Sequence, residues 1–293
     1  MTEHRSAPVD GFTLAYERSG VPGGPAVVLL HGWPGRRTDY REVVPLLRDA
    51  DDVLVPDLRG FGASDRHDVA PGGNYDAAAQ ARSVLGLMDE LGLAGAVLAG
   101  YDVGGRVAQA VARAAPERVR ALVLAPPLPG AGERVLEPGA QREFWYQPFH
   151  RLELSSALID GDARAVRAYL KHFWDHWSGP GFVLTDADLD ALVATYAPPG
   201  AFAASIAWYR AGSGTIATSL AERDGPPPEP IAVPTRVLWP EHDPLFPVAW
   251  SDRAGTYFSD VTIATLPCGH FAPLEAPEEF AAAVREALAS YDV

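Results

Sequence analysis

Short apolar segments that alternate with helix-like segments are the feature that most restricts how this chain can fold. Apolar runs lie at residues 26–30, 53–57, 97–100 and 120–125, and segments with helical patterning separate them. Such runs are typical of strands buried on both faces, and their alternation with helices is typical of parallel βα units. The sequence therefore predicts an α/β fold with a mostly parallel central sheet flanked by helices.

The alternation stops near Pro127 and returns at residues 235–239 and 261–266, ahead of a final helix expected from Pro277 to about Ser290. The residues in between follow a helical pattern instead. We therefore predict an α/β core interrupted by a helical cap, with the core formed by residues 1–127 and 231–293 and the cap by residues 128–230.

Three segments of the predicted cap carry helix signals. Asp162 is expected to cap a helix that runs to Trp177. Thr185 with Asp188 resembles a capping box in which Asp replaces the usual Glu or Gln. A further helix is expected over residues 200–211.

Composition and charge limit the classes of partner. The chain has 293 residues, 47% of them hydrophobic, and a formal net charge of −14. Because nucleic acids and anionic membranes bind basic surfaces, this charge argues against both. The N-terminus lacks a signal-peptide pattern, no apolar run approaches the ~20 residues of a membrane span, and the single cysteine allows no intramolecular disulfide. We expect a cytoplasmic protein that is a monomer or a homodimer.

A carboxylate lies between two glycines directly after the third apolar run. The segment reads Gly100-Tyr101-Asp102-Val103-Gly104 and precedes an Ala- and Val-rich helical segment. This strand–turn–helix context is that of a nucleophile elbow, where the glycines allow a tight turn. A serine at the centre would attack acyl carbons, whereas a carboxylate attacks saturated carbon and leaves an alkyl ester. We therefore predict Asp102 as the nucleophile.

Three further motifs follow other predicted strands. His31-Gly32-Trp33-Pro34 follows the first apolar run, in a loop that can aim backbone N–H groups at a developing oxyanion. The Trp33–Pro34 bond is a candidate cis peptide bond. Asp243 follows the run at 235–239, and His270 follows the run at 261–266. We predict Asp243 as the acid and His270 as the base of the site.

These motifs resemble those of the α/β-hydrolase superfamily over essentially the whole chain. The order Asp102, Asp243, His270 matches the nucleophile–acid–histidine order of the superfamily, and residues 57–64 match its D-x-R-G-x-G-x-S segment. An aspartate nucleophile implies an epoxide hydrolase, a haloalkane dehalogenase or a fluoroacetate-type haloacid dehalogenase. The residue before the nucleophile is usually His in these families, and here it is Tyr101.

The predicted cap most resembles that of epoxide hydrolases, in which two tyrosines hold the epoxide oxygen. Tyr146 lies in a Phe-Trp-Tyr-Gln segment early in the cap, and Tyr209 lies in a Trp-Tyr-Arg segment late in it. The resemblance implies that Asp102 opens an epoxide to a vicinal diol through an alkyl ester. His270, oriented by Asp243, would then activate the water that hydrolyses this ester.

The resemblance also implies roles for the backbone around the nucleophile. The N–H groups of Trp33 and Val103 would hold the oxyanion. No cofactor or metal is implied, and the implied substrate is a small apolar epoxide. Residues expected to shape the site without reacting are His31, Gly32, Pro34, Gly100 and Gly104.

Two other functions stay open. Haloalkane dehalogenases resemble H-G-N-P and D-W-G, where Asn and Trp hold the halide, but Trp33 and Val103 occupy those positions here. Haloacid dehalogenases resemble H-D-R-x-x-R, and only Arg106 matches, as the second arginine. The alternative from another class is a non-catalytic ligand-binding protein of the same fold, which has no need of the complete triad.

Overall fold

The structure is a computed structural model that describes residues 3–49, 51–126, 130–225 and 228–290. Within these ranges one eight-stranded sheet has the spatial order β1-β2-β4-β3-β5-β6-β7-β8. The strands are β1 (Glu3–Arg5), β2 (Ala15–Gly20), β3 (Ala26–Leu30), β4 (Asp52–Pro56), β5 (Ala96–Gly100), β6 (Val119–Leu124), β7 (Thr235–Pro240) and β8 (Val261–Leu266).

The mostly parallel sheet predicted from the apolar runs is confirmed. Strands β3 to β8 pair in parallel, whereas β1 pairs with β2, and β2 with β4, in antiparallel fashion. The six predicted strands are all present, and their ends differ from the prediction by at most one residue. The apolar runs that gave β3, β4 and β5 are buried along their whole length.

Helices flank this sheet and also fill the interval between β6 and β7. Before β6 lie α1 (Val44–Leu47), α2 (Ala77–Glu90) and α3 (Asp102–Ala114). Between β6 and β7 lie α4 (Pro138–Glu143), α5 (Tyr146–His150), α6 (Glu153–Ile159), α7 (Ala163–Trp177), α8 (Asp186–Tyr196), α9 (Ala201–Ser205), α10 (Ala207–Arg210) and α11 (Thr215–Asp224). After β7 lie α12 (Ala254–Tyr257), α13 (Ala272–Glu275) and α14 (Pro277–Ala289).

Two of the three expected helix signals in this interval are confirmed. The Asp162 side chain accepts hydrogen bonds from the N–H groups of residues 164 and 165, so it caps α7. The Thr185 hydroxyl accepts a hydrogen bond from the Asp188 N–H, so it caps α8. Both caps satisfy N–H groups that a helix leaves free in its first turn.

The prediction of one continuous helix over residues 200–211 is wrong. The segment forms α9 and α10, and Ile206 between them has a ψ of −2°, which interrupts the helical backbone. Phe202, Ile206 and Tyr209 are all buried despite the break. Their burial therefore does not require one continuous helix.

The segment from residue 132 to residue 224, here called the helical insertion, contains helices only, within the part of the chain that the structure describes. Most of its buried apolar side chains belong to the same cluster as those of the sheet, whereas Ala207 belongs to a small second cluster with Phe12 and Tyr75. The predicted domain limits at 127/128 fall on residues outside the described ranges, so the division into two domains stays a prediction. Among the described residues, every helix is too short or too polar to span a lipid bilayer.

Candidate active site

Asp102 stands at a sharp turn between β5 and α3. Its φ of +46° lies in the left-handed region, which costs a non-glycine residue about 1–3 kcal/mol and is found mainly at functional sites. A Cβ atom at Gly100 would lie 2.6 Å from the carbonyl carbon of Gly104, and one at Gly104 would overlap the carbonyl oxygen of Leu30. Both glycines are therefore required by the close approach of backbone at this turn.

The loop after β3 reaches over the Asp102 carboxylate. The Trp33 N–H donates to Asp102 Oδ2 at 2.8 Å, and the nearby Val103 N–H lowers the pKa of the same carboxyl group. The Trp33–Pro34 peptide bond is cis, as expected from the sequence. Of the two N–H groups predicted to hold an oxyanion, that of Trp33 hydrogen-bonds to the Asp102 carboxylate itself.

His31 and Gly32 support this loop. His31 is fully buried; its Nδ1 donates to the Gly32 carbonyl at 2.9 Å, and its Nε2 accepts from the Leu58 N–H at 3.0 Å. Both ring nitrogens are therefore occupied, and burial lowers the pKa of this imidazole, so it is neutral. A Cβ atom at Gly32 would lie 2.7 Å from Asp102 Cβ, which explains the absence of a side chain there.

The predicted acid and base are in contact. His270 Nδ1 lies 2.9 Å from Asp243 Oδ2, and the Leu245 N–H holds Asp243 Oδ1 at 2.8 Å. Burial is the largest single influence on the pKa of His270 and lowers it, but the charge and hydrogen bond of Asp243, together with the Asp102 charge, outweigh burial and raise the net pKa above its usual value. His270 Nε2 is buried and has no hydrogen-bond partner among the described residues. This nitrogen is therefore the free basic atom of the pair.

Opposing influences act on the pKa of the Asp102 carboxyl group. Burial raises its pKa above the usual value for aspartate, while the His270 charge and the N–H groups of Trp33 and Val103 oppose this rise. Asp102 is 8% exposed. The donors thus favour the ionised carboxylate that nucleophilic attack requires.

Tyr146 and Tyr209, from separate helices of the helical insertion, meet beside Trp33. Their ring centroids are 5.6 Å apart, and those of Tyr146 and Trp33 are also 5.6 Å apart with nearly parallel planes. Burial raises the pKa of both phenols well above 10, and the Asp102 charge adds to this effect. Both phenols are therefore protonated at neutral pH and can act as donors.

The comparisons with known proteins agree with this geometry. A sequence model of the alpha/beta hydrolase fold matches residues 25–277. This chain belongs to that family. Among curated relatives of this hydrolase, the soluble epoxide hydrolase of Corynebacterium sp. (strain C12) is 30% identical over 285 residues, which cover 94% of this chain and 93% of that protein.

Dehalogenases are also among the relatives of this hydrolase. The fluoroacetate dehalogenase of Burkholderia sp. is 30% identical over 273 residues, covering 90% of this chain and 87% of that protein. Among solved structures, a candidate epoxide hydrolase from Klebsiella pneumoniae has 28% identity and a TM-score of 0.82, covering 98% of this chain and 97% of that one. The family is thus certain, and the reaction within it has to be argued from the site.

Aromatic rings enclose the site almost completely. The candidate reacting groups other than Asp102 are at most 4% exposed. The Trp33 ring contacts the other members of what we call the aromatic shell, with centroid distances of 4.8–6.1 Å: Tyr146, His150, Phe173, Trp177 and Tyr209. The Tyr209 hydroxyl has no hydrogen-bond partner among the described residues. A buried unpaired polar atom costs about 1–3 kcal/mol, so this atom is suited to a ligand.

Sequence reasoning missed two side chains that support Tyr146 and Tyr209. Gln147 Nε2 donates to the Tyr146 hydroxyl at 3.1 Å, while Gln147 Oε1 accepts from the Ile216 N–H at 3.0 Å. This arrangement leaves the Tyr146 proton free. His150, fully buried, packs against Tyr209 with ring centroids 4.8 Å apart. No spacing in the sequence indicates the Gln147–Ile216 or the His150–Tyr209 contact, because both depend on how the helices of the insertion pack.

Tyr101, which replaces the usual His before the nucleophile, is buried behind the reacting groups. Its hydroxyl donates to Asp39 Oδ2. Burial raises the pKa of Asp39 to about 7, and the hydrogen bond from Tyr101 opposes this rise. Sequence reasoning also missed Asp39, which is 62 residues away along the chain.

The described residues contain no group of three or more His, Cys, Asp or Glu side chains placed to hold a metal ion. Cys268 is buried, and burial raises the pKa of its thiol far above the usual value, so it is a poor nucleophile. The chemistry available at this site is that of Asp102, the His270–Asp243 pair and the two phenols.

Proposed function

We propose that the protein is an epoxide hydrolase that opens a small apolar epoxide to a vicinal diol. The observation that carries this proposal is the pair of buried, protonated phenols of Tyr146 and Tyr209, one of them without a hydrogen-bond partner among the described residues. An epoxide oxygen leaves as an alkoxide, which is a poor leaving group unless donors stabilise it.

In the first half of the proposed reaction, an ester forms on the protein. An Asp102 carboxylate oxygen attacks an epoxide carbon, and the carbon–oxygen bond of the ring breaks. Tyr146 and Tyr209 donate hydrogen bonds to the oxygen that leaves, and one of them supplies the proton. The Gln147 amide donates to the Tyr146 oxygen and so stabilises the charge that develops there.

In the second half, water hydrolyses the ester. His270 Nε2 takes a proton from the water, and the Asp243 carboxylate stabilises the imidazolium that results. The water oxygen attacks the side-chain carbonyl carbon of Asp102. The N–H groups of Trp33 and Val103 stabilise the tetrahedral oxyanion. As the oxyanion collapses, the ester C–O bond breaks and the His270 imidazolium returns its proton to the departing oxygen, which releases the diol. The proton of the new Asp102 carboxylic acid then passes, through solvent, to the tyrosine that had given up its own.

The helical insertion is proposed to act as the cap over this reaction. It supplies both tyrosines and most of the aromatic shell, which is apolar apart from its phenol groups and His150. An enclosure of this kind favours a small apolar substrate, because a charged or strongly polar group would lose its hydration without replacement.

Dehalogenation is less well supported by the same contacts. Arg106 alone matches the arginine pair of the haloacid enzymes, and its Nη2 donates to Thr218 Oγ1 at 2.7 Å. Arg106 also lines a cavity of about 370 Å³ between α3 and α11, together with Glu222. Because Val103 offers no second guanidinium, the two-armed clamp for a carboxylate is not formed.

A side-by-side assay with styrene oxide, chloroacetate and a chloroalkane tests the proposal. We expect diol from styrene oxide and no chloride release above background from the other two. The Asp102→Asn variant is the matched control, since it is nearly isosteric and lacks the carboxylate. Chloride release without diol formation would assign the site to dehalogenation, and no turnover of any substrate would favour a binding role.

Replacement of Asp243 by asparagine should impair the second half of the reaction. The amide keeps the shape of the side chain but cannot stabilise the imidazolium, so ester hydrolysis should slow by about 10²–10⁴-fold. Rapid-quench kinetics of ester decay measure this. Glu241→Gln is the control, because Glu241 is exposed on the same loop. Ester decay at the rate of the unmodified protein would move the acid role to another carboxylate.

A further inference from the structure

A chain of hydrogen bonds links the nucleophile turn to the loop that covers it. The Tyr101 hydroxyl donates to Asp39 Oδ2, and the Arg36 N–H donates to the same oxygen at 3.0 Å. Tyr101 is fully buried and Asp39 is 3% exposed. Two donors thus converge on one buried oxygen, and hydrogen bonds in a water-poor site are stronger than in water.

The two ends of this chain lie next to the reacting atoms. Tyr101 directly precedes Asp102, and Arg36 lies three residues after Trp33. Trp33 in turn donates its N–H to Asp102 Oδ2 at 2.8 Å. The contacts therefore form a closed ring in which the Trp33 N–H is fixed against Asp102 from both sides. We call the contact of Tyr101, Asp39 and Arg36 the carboxylate clamp.

The loop that carries Trp33 packs tightly against the Tyr101 side chain. A Cβ atom at Gly32 would lie 2.7 Å from Tyr101 Cε2, and one at Gly35 would lie 2.5 Å from the Tyr101 hydroxyl. On its other side the loop is held by Tyr196, whose hydroxyl donates to the Gly35 carbonyl at 2.7 Å. The Tyr101 ring thus forms the surface on which the loop carrying Trp33 lies.

The Trp33 N–H has unequal importance in the two halves of the proposed reaction. During attack on the epoxide the carboxylate loses negative charge, so a donor to it gives no advantage in the transition state. During ester hydrolysis negative charge develops on the same oxygen, and a donor placed beforehand lowers the barrier. Misplacement of this N–H should therefore slow hydrolysis and leave alkylation almost unchanged.

From these contacts we propose that Tyr101 and Asp39 are positioning residues for ester hydrolysis, which hold the Trp33 N–H where the oxyanion develops. The proposal rests on the proposed function, since it concerns the second half of that reaction. It assigns a role to the tyrosine that stands where related enzymes usually have histidine. Neither residue touches the substrate; both act through the Trp33 backbone.

The two half-reactions are to be measured separately in Tyr101→Phe, which removes only the hydroxyl. Single-turnover kinetics with styrene oxide give ester formation, and ester decay after dilution gives hydrolysis. We expect ester decay to slow about tenfold, below the roughly 10²–10³-fold effect of deleting an oxyanion donor, with ester formation changed less than twofold. Amide hydrogen exchange at Trp33 should become faster in the same variant.

Two further variants make the result specific. Asp39→Asn keeps an acceptor for the phenol, so it should restore most of the hydrolysis rate that Asp39→Ala loses. Tyr75→Phe is the matched control, because this buried phenol donates to the His67 carbonyl at 2.8 Å, away from the loop. It should leave both half-reactions unchanged. If Tyr101→Phe does not fold, the comparison of Asp39→Ala with Asp39→Asn carries the test.

The outcomes separate this proposal from the proposed function. A folded Tyr101→Phe variant with unchanged ester decay, or with both halves slowed equally and Trp33 exchange unchanged, would overturn the carboxylate clamp as a positioning device. If the unmodified protein forms no ester on Asp102, the proposed function fails instead. In that case faster amide hydrogen exchange at Trp33 in Tyr101→Phe still supports the claim that the carboxylate clamp fixes the Trp33 N–H. Unchanged exchange contradicts that claim.

Discussion

Replacement of both Tyr146 and Tyr209 by phenylalanine should nearly abolish epoxide opening while the triad stays assembled. Each phenol alone is expected to contribute up to about 10²–10⁴-fold, the range of a general acid, and the remaining phenol partly compensates in a single variant. The double variant has no donor for the alkoxide. Single-turnover formation of the Asp102 ester, followed by mass spectrometry of quenched samples, measures the loss.

Tyr169→Phe is the matched control for that experiment. Its phenol also lies in the helical insertion and is 2.9 Å from His150 Nε2, but it is not placed against the reacting atoms in the proposed mechanism. We expect ester formation in this variant to stay within about threefold of the unmodified rate. Fast ester formation in the double variant would mean that Tyr146 and Tyr209 only pack the insertion. The distinction from dehalogenases would then be lost.

Replacement of His270 by glutamine should trap the ester. In the proposed mechanism His270 acts only in hydrolysis, so alkylation should proceed while ester decay slows by about 10²–10⁴-fold. Mass spectrometry after incubation with an epoxide should show one added substrate mass on the peptide that contains Asp102. Steady-state turnover should fall by the same factor as ester decay, because the ester then accumulates.

His242→Gln controls for the loss of an imidazole near the same sheet edge, because His242 is exposed beside Asp243. It should accumulate no ester. An adduct of the His270→Gln variant on a peptide without Asp102 would remove Asp102 from its role. Absence of any adduct, under conditions in which the unmodified protein turns over, would do the same.

The sequence predicted the parts of the fold that depend on local pattern. Strands β3 to β7 each pair with a strand on both sides and are mostly buried, so their apolar runs are clear, whereas β8 is a largely exposed edge strand. The carboxyl ends of parallel strands lie at one edge of the sheet. For that reason Asp243 and His270, each placed after a strand, could be expected to meet. The structure brings these two side chains to 2.9 Å, whereas Asp252 pairs with Arg134 at the surface.

The parts that the sequence did not predict depend on contacts between distant residues. Strand β1 consists of three exposed polar residues, so the sequence shows no apolar pattern there. The strand is recognised only from its pairing with β2 in the structure. The break at Ile206 interrupts an apolar spacing that is helical, so the sequence pattern does not show it. Asp39 meets Tyr101, and Gln147 meets Ile216, across 62 and 69 residues of chain. A pattern within a short window cannot contain such pairs.

The backbone and the side chain of Trp33 make different contacts in the candidate site, and this difference is useful for engineering. Its backbone N–H donates to Asp102, while its side chain forms the centre of the aromatic shell. A substitution at this position changes the volume and shape of the enclosure and leaves the N–H in place, since every residue except proline has one. In the proposed mechanism, the range of accepted substrates can therefore be altered at Trp33 independently of the oxyanion stabilisation that we assign to its N–H group.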